Sequence, residues 1–299
     1  MDSGCGGAIG SFGLSYSHVT NGFPQSSRNT TKSQVIIRHP WPVRLWHWIN
    51  ALTMILALVT GVLIFNIHPR LYWGEDGHAG MASILSLSAS HTNTETPRFD
   101  LQIGSHHWDV TGIMGAIDNE GSDQYILIAA TPADFQFGGT RIWHFLAAWI
   151  LVGAWIAYGL YIALGGRLAK MLWPTREDRT LRNLAYELRQ HLLFKRARGS
   201  AAQRYNLLQK LSYLLVVVFL VPVLILSGLT MSNAVTAAFP DLFSLFGGRQ
   251  SARSIHFIVA AFLLGFIVIH IVQVFVAGFF NSMRSMLTGR YITPGEKST

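Results

Sequence analysis

Four of the twelve histidines, His47, His144, His256 and His270, fall inside stretches that are otherwise apolar. An ionisable side chain at such a position is expensive and marks a functional site by default. Imidazole offers a neutral nitrogen ligand for a metal, or a proton carrier. A proton or ion pathway would pair these rings with Asp or Glu, and the four apolar stretches contain neither. One such histidine alone reads equally well as a packing residue hydrogen-bonded to a neighbouring helix. Four of them on three segments favour ligation.

The elements that must position these rings follow from hydropathy. The 299 residues are 50% hydrophobic and 13% charged, against about a quarter charged in a soluble domain. Runs of twenty or more apolar residues predict spans at about 45–65, 142–164, 211–231 and 254–280. At about 1.5 Å per residue each crosses a hydrocarbon core of roughly 30 Å. The fold class is therefore an all-α membrane protein, a four-transmembrane-helix bundle with a long outer loop between spans one and two. Pro222 in span three is tolerable because a neighbouring helix can satisfy the carbonyl it frees. The single cysteine, Cys5, excludes internal disulfides, cysteine-ligated zinc, iron–sulfur clusters and covalent c-type haem.

Charge sets the orientation and the domain limits. The net charge of +8 comes largely from the connection between spans two and three, which holds Arg167, Lys170, Arg176, Arg196 and Arg198 among other basic residues. The 66–140 connection is acidic, with Glu75, Asp76, Asp100 and Asp109. The positive-inside rule places both termini and the basic connection in the cytoplasm, and the 66–140 loop outside. The basic excess is thus a topology signal, and no nucleic-acid partner is expected. Residues 1–34, rich in Gly, Ser, Asn and Thr, read as a disordered tail with no cleavable signal peptide. Residues 35–290 read as the membrane domain and 291–299 as a short C-terminal tail. The 66–140 loop is expected to fold in part as a cap, and to serve as a docking surface. Leu181, Leu184, Leu188 and Leu192, opposite Arg179, Arg182 and Arg189, suit a helix lying on the anionic inner leaflet, or a solvated basic helix.

Depth then pairs the histidines. His256 and His270 are fourteen residues apart, so they project within about 40° of one another, roughly 21 Å apart along the axis. Span one runs outward and places His47 near the cytoplasm; span two runs inward and places His144 near the outer surface. The expected pairs are His144 with His256 and His47 with His270. Two bis-histidine sites stacked in a four-helix bundle form a di-haem b arrangement. Zinc or copper would recruit further ligands, which neither pair has. Arg44, Arg141 and Arg253 each precede a histidine by three residues, which puts a guanidinium one turn nearer the aqueous boundary, where a haem propionate needs a cation. Interfacial snorkelling accounts for one or two such arginines. Gly61, Gly153, Gly159 and Gly265 could make room for a macrocycle or simply let helices approach.

The segments R-L-W-H-W-I-N at 44–50, R-I-W-H-F at 141–145 and G-G-R-Q-S-A-R-S-I-H-F at 247–257, with His270, resemble the bacterial cytochrome b561/nickel-hydrogenase cytochrome b family over about residues 38–290. Within it the chain is similar to cytochrome b subunits of the thiosulfate reductase or formate dehydrogenase kind. The resemblance implies a bacterial inner-membrane subunit with two b haems on His47, His144, His256 and His270. Such a subunit passes electrons between the quinone pool and a periplasmic or membrane-associated redox subunit, a molybdopterin, iron–sulfur or c-type cytochrome protein. Alternatives are a stand-alone quinone-linked oxidoreductase of the same fold, of the superoxide oxidase or ferric reductase type, and a haem-free transporter or membrane anchor. The last should show an internal repeat or acidic partners for the histidines, and the spans offer neither.

Overall fold

In the computed structural model, residues 35–78, 80–90, 98–111, 115–118, 125–128, 137–165, 180, 182, 185–186, 189 and 207–292 are described. The expected N-terminal tail, residues 293–299 and most of the basic connection lie outside them; of the latter, Arg182, Ala185, Tyr186 and Arg189 are helical. After a short strand β1 (Val35–Ile37), α1 (Trp41–Ile67) and α2 (Phe137–Leu164) form the first hairpin of the bundle. The third span is built in pieces: α3 (Leu207–Tyr213), a π-helical turn over Leu214–Leu220 and α4 (Val221–Thr230). Two short helices, α5 (Asn233–Ala238) and α6 (Asp241–Phe246), lead into α7 (Arg249–Thr288). Four of these helical segments are long and apolar enough to cross a membrane. Their outward faces carry Leu52, Val59, Trp149, Ile156, Val218, Phe262 and Phe275 in exposed positions, as suits a lipid surround.

Pro222 explains the π-helical turn. Val221 N–H bonds back five residues to the Val216 carbonyl, and the next donor in that register is missing because residue 222 is proline. The Val217 carbonyl, thereby freed, accepts the Trp155 indole N–H from α2 at 2.9 Å. Hydroxyl groups inside the spans are satisfied within their own helices: Thr53 Oγ1 donates to the Ile49 carbonyl at 2.7 Å and Thr230 Oγ1 to Leu226 at 2.9 Å. Met54, Leu151, Leu220, Leu224, Val259 and Leu263 meet in an aliphatic core drawn from all four spans. α1 packs along α2, and α4 along α7, more extensively than α1 meets α7.

At the end of the bundle bearing the termini, α7 breaks at Gly278, whose φ of 106° is open only to glycine. Span four, expected to run to about residue 280, thus loses its helical direction two residues earlier. The remainder turns against the start of α1. Trp48 Nε1 donates to the Met286 carbonyl at 3.3 Å, and an Arg44 guanidinium N–H donates to that of Leu287. Beyond Thr288, strand β8 (Arg290–Ile292) pairs antiparallel with β1, Ile36 opposite Tyr291. Residues 290–292 are therefore held in a sheet, where the sequence suggested that a tail begins at 291.

At the opposite end the cap contains strands, a feature the helical reading of the chain omitted. β2 (Arg70–Leu71), β3 (Leu85–Ser90), β4 (Arg98–Ile103) and β5 (His106–Asp109) form an antiparallel sheet over Leu87 and Phe99; β6 (Gly115–Asp118) and β7 (Tyr125–Ile128) form a separate hairpin. The 68–74 segment grips the start of α7. The Gly74 carbonyl accepts Gln250 N–H at 3.0 Å and Ser251 N–H at 3.1 Å, two donors that a helix N-terminus leaves unpaired. Ser254 Oγ donates to the Tyr72 carbonyl at 2.6 Å. Gly248, at φ 109°, lets this segment approach: a Cβ there would lie 2.5 Å from Gly74 O.

Candidate functional site

The four intramembrane histidines meet two by two. The rings of His144 on α2 and His256 on α7 have centres 6.3 Å apart at the cap end. Those of His47 on α1 and His270 on α7 are also 6.3 Å apart, toward the termini. Two imidazoles flanking one metal ion, each nitrogen at about 2 Å from it, have ring centres about 6 Å apart. The aliphatic core, Val259 and Leu263 included, lies between the two levels of α7. Among the described residues no cluster of three or more His, Cys, Asp or Glu assembles.

At the cap end the ring orientation is fixed by neighbouring backbone. His144 Nδ1 lies 3.1 Å from the Ala57 carbonyl and 3.0 Å from Thr60 Oγ1. His256 Nδ1 lies 2.9 Å from the Leu224 carbonyl and 3.2 Å from Ser227 Oγ. A carbonyl oxygen only accepts, so each Nδ1 carries the proton and each Nε2 keeps its lone pair, the state that binds a metal. Gly61 and Gly228 leave room for the rings: a Cβ would lie 3.4 Å from His144 Cε1 and 3.2 Å from His256 Cε1. Among the described residues, Gly153, Gly159 and Gly265 face nothing within 4 Å, and Gly265 sits nine residues, about 180°, from His256 on the opposite face of α7.

The pair nearer the termini is built differently. His47 Nδ1 is buried and has no hydrogen-bond partner among the described residues. His270 stacks on Phe266 at 5.9 Å. Trp46, next to His47, stacks on Tyr158 of α2 at 4.0 Å and fixes the start of α1 against α2. Just before α1, His39 is pushed down to about 4 by burial, with Arg38, His47 and Arg44 adding to the effect.

The three arginines are placed unequally. Arg44, one turn before His47, has a buried Nε without a hydrogen-bond partner among the described residues, although another of its N–H groups holds Leu287. Arg253, one turn before His256, donates to the His68 carbonyl at 2.6 Å. Arg141 is exposed, with its guanidinium 5.7 Å from the Phe145 ring centre. Partial burial, then Arg253 and Arg70, hold the His68 imidazole below its usual range.

These residues fit haem on three observations: ring spacing, lone pairs left on Nε2 at the cap end, and a buried guanidinium N–H, unpaired among the described residues, one turn before His47. Thr60, Ser227 and Gly228 escaped the sequence reading. Their signal was the resemblance of residues 57–61 to residues 224–228, which is too short to register in hydropathy. The histidines of the cap stay outside the site: His107 pairs with Asp100 at 2.7 Å and His106 stacks on Trp108.

Residues 38–289 match the family model described as prokaryotic cytochrome b561. The chain is also 33% identical over 137 residues to a protein of Azospira oryzae named as a protein-methionine-sulfoxide reductase subunit, YedZ1. That match covers 46% of this chain and 65% of the relative's length. No solved structure matches the chain.

Proposed function

Because this chain belongs to the prokaryotic cytochrome b561 family, we propose that it is a di-haem membrane subunit carrying electrons between a redox partner at its cap and the quinone pool. The observation that carries the reading is the double pairing of rings at 6.3 Å, with α7 contributing one histidine to each pair. His144 and His256 would hold one haem b, and His47 and His270 the other. Haem b supplies one-electron redox chemistry at bis-imidazole iron, with its potential tuned by the surroundings. Arg44, Arg141 and Arg253 stand ready for propionates; the five N–H donors of a guanidinium allow Arg253 to keep its bond to His68 while meeting a carboxylate. The aliphatic core excludes water and charge between the two levels, and the rigid helices fix their separation.

The cap faces the periplasm and the termini the cytoplasm in this reading, which rests on the acidic 66–140 segment and the basic 165–210 connection. The relative named as a reductase subunit supports a redox partner; the acidic cap is where we place it, and a molybdopterin oxidoreductase is the class we favour. Residues 35–290 act as one membrane unit.

The test is an optical spectrum of the purified protein, oxidised and dithionite-reduced, with haem quantified per chain. Two low-spin b haems are expected. H47A and H270A should each lose the same haem, and H144A and H256A the other. A colourless protein, or loss of different haems within one pair, would overturn the assignment.

A further inference from the structure

The cap-end histidines are received by two segments that repeat one another. In α1, the Ala57 carbonyl, the Thr60 hydroxyl and the missing side chain of Gly61 surround His144; in α4, the Leu224 carbonyl, the Ser227 hydroxyl and Gly228 surround His256 at the same offsets. Each receptor ends an outward-running span of its hairpin, and each histidine begins the return span. The likeness is five residues long and parallel, and it is legible only once the ring contacts are seen.

The hydroxyls have a defined polarity. Thr60 Oγ1 donates its proton to the Leu56 carbonyl at 2.6 Å, and Ser227 Oγ to Val223 at 2.6 Å. Each oxygen therefore presents a lone pair to its histidine, so each Nδ1–H is shared between a carbonyl and a hydroxyl. A ring that donates in this way is the more basic ligand through Nε2, and it favours the more highly charged metal. His47 has no such acceptor among the described residues.

We propose that Thr60 and Ser227 are positioning residues whose lone pairs, added to those of the carbonyls that set the tautomer, make His144 and His256 the more basic ligands and hold the cap-end haem at a lower potential than the other. The inference rests on the di-haem reading and deepens it. Thr60 is 1% exposed and Ser227 fully buried, so T60V and S227A remove the hydroxyl acceptors and leave the carbonyls, with little change of shape, while T60S and S227T retain both.

The experiment is potentiometric titration of the full chain in membranes or nanodiscs, following both haems optically. In the T60V/S227A double variant the lower midpoint should rise by about 59 mV, a tenfold change in preference for the oxidised state, with the upper midpoint unmoved. T60S/S227T should restore the wild-type value. Loss of the cap-end haem in the double variant, with its retention in T60S/S227T, would also support a positioning role. An unmoved lower midpoint, equal movement of both midpoints, or haem loss in both variants would overturn the proposal. Fewer than two haems in the wild type would instead overturn the di-haem reading itself, and haem content reports that independently.

Discussion

Replacing Trp155 by Phe isolates the bond on which the third span depends. Proline inside a helix removes a donor, and in water the abandoned carbonyl would simply be solvated. In the membrane interior it must find a protein partner, and the Val217 carbonyl finds the Trp155 indole at 2.9 Å. W155F leaves that carbonyl buried and unpaired, at a cost of about 1–3 kcal/mol. Trp149, on the same helix but 61% exposed, is the control, and W149F should cost less than about 0.5 kcal/mol. The decisive comparison adds P222A. An alanine N–H at residue 222 can serve Val217 directly, so W155F should cost about 1 kcal/mol less in the P222A background. Reversible unfolding in mixed micelles gives all four free energies. Equal costs of W155F with and without Pro222 would refute the link between the proline, the π-helical turn and the indole.

Three further outcomes are expected. Gly278→Ala forces a side chain into φ 106° and should destabilise the protein by about 1–2 kcal/mol, whereas Gly265→Ala, within a regular helix and facing open space, should be neutral or stabilising in the same assay. Ser254→Ala removes the 2.6 Å bond to the Tyr72 carbonyl; a loss of about 1–3 kcal/mol should accompany faster hydrogen exchange of residues 71–76. For His39, held at about 4 against 6.5 in the unfolded chain, the fold favours the neutral ring. Its contribution is complete above pH 6.5 and is lost as pH falls from 6.5 toward 4, so the thermal midpoint of the wild type should drop more across that window than that of H39N.

The spans were legible because hydropathy reports depth, and depth alone brings His144 level with His256 and His47 level with His270. Helical phase added that His256 and His270 share a face. Azimuth between helices was not legible. Nothing in the sequence says that Gly61 and Gly228 meet imidazoles while Gly153 and Gly159 face open space, since that depends on how each hairpin is rotated. Pro222 announced a freed carbonyl, but the identity of its partner required the packing of α2 against the third span. The cap strands had a signal of their own: β3, L-S-L-S-A-S, and β4, R-F-D-L-Q-I, alternate apolar and polar residues at period two, with Leu87 and Phe99 facing the small interior, but two six-residue runs carry far less weight than spans of twenty.

Because α7 supplies one ring to each level, it works as a ruler with two scales. Adding one residue between His256 and His270 would lengthen the gap by only about 1.5 Å but swing one imidazole round by about 100°. Angular phase therefore restricts this stretch of chain far more severely than length does. Lipid-facing side chains there, Phe262 among them, can be exchanged among apolar types, yet insertions and deletions are forbidden unless they come as whole turns.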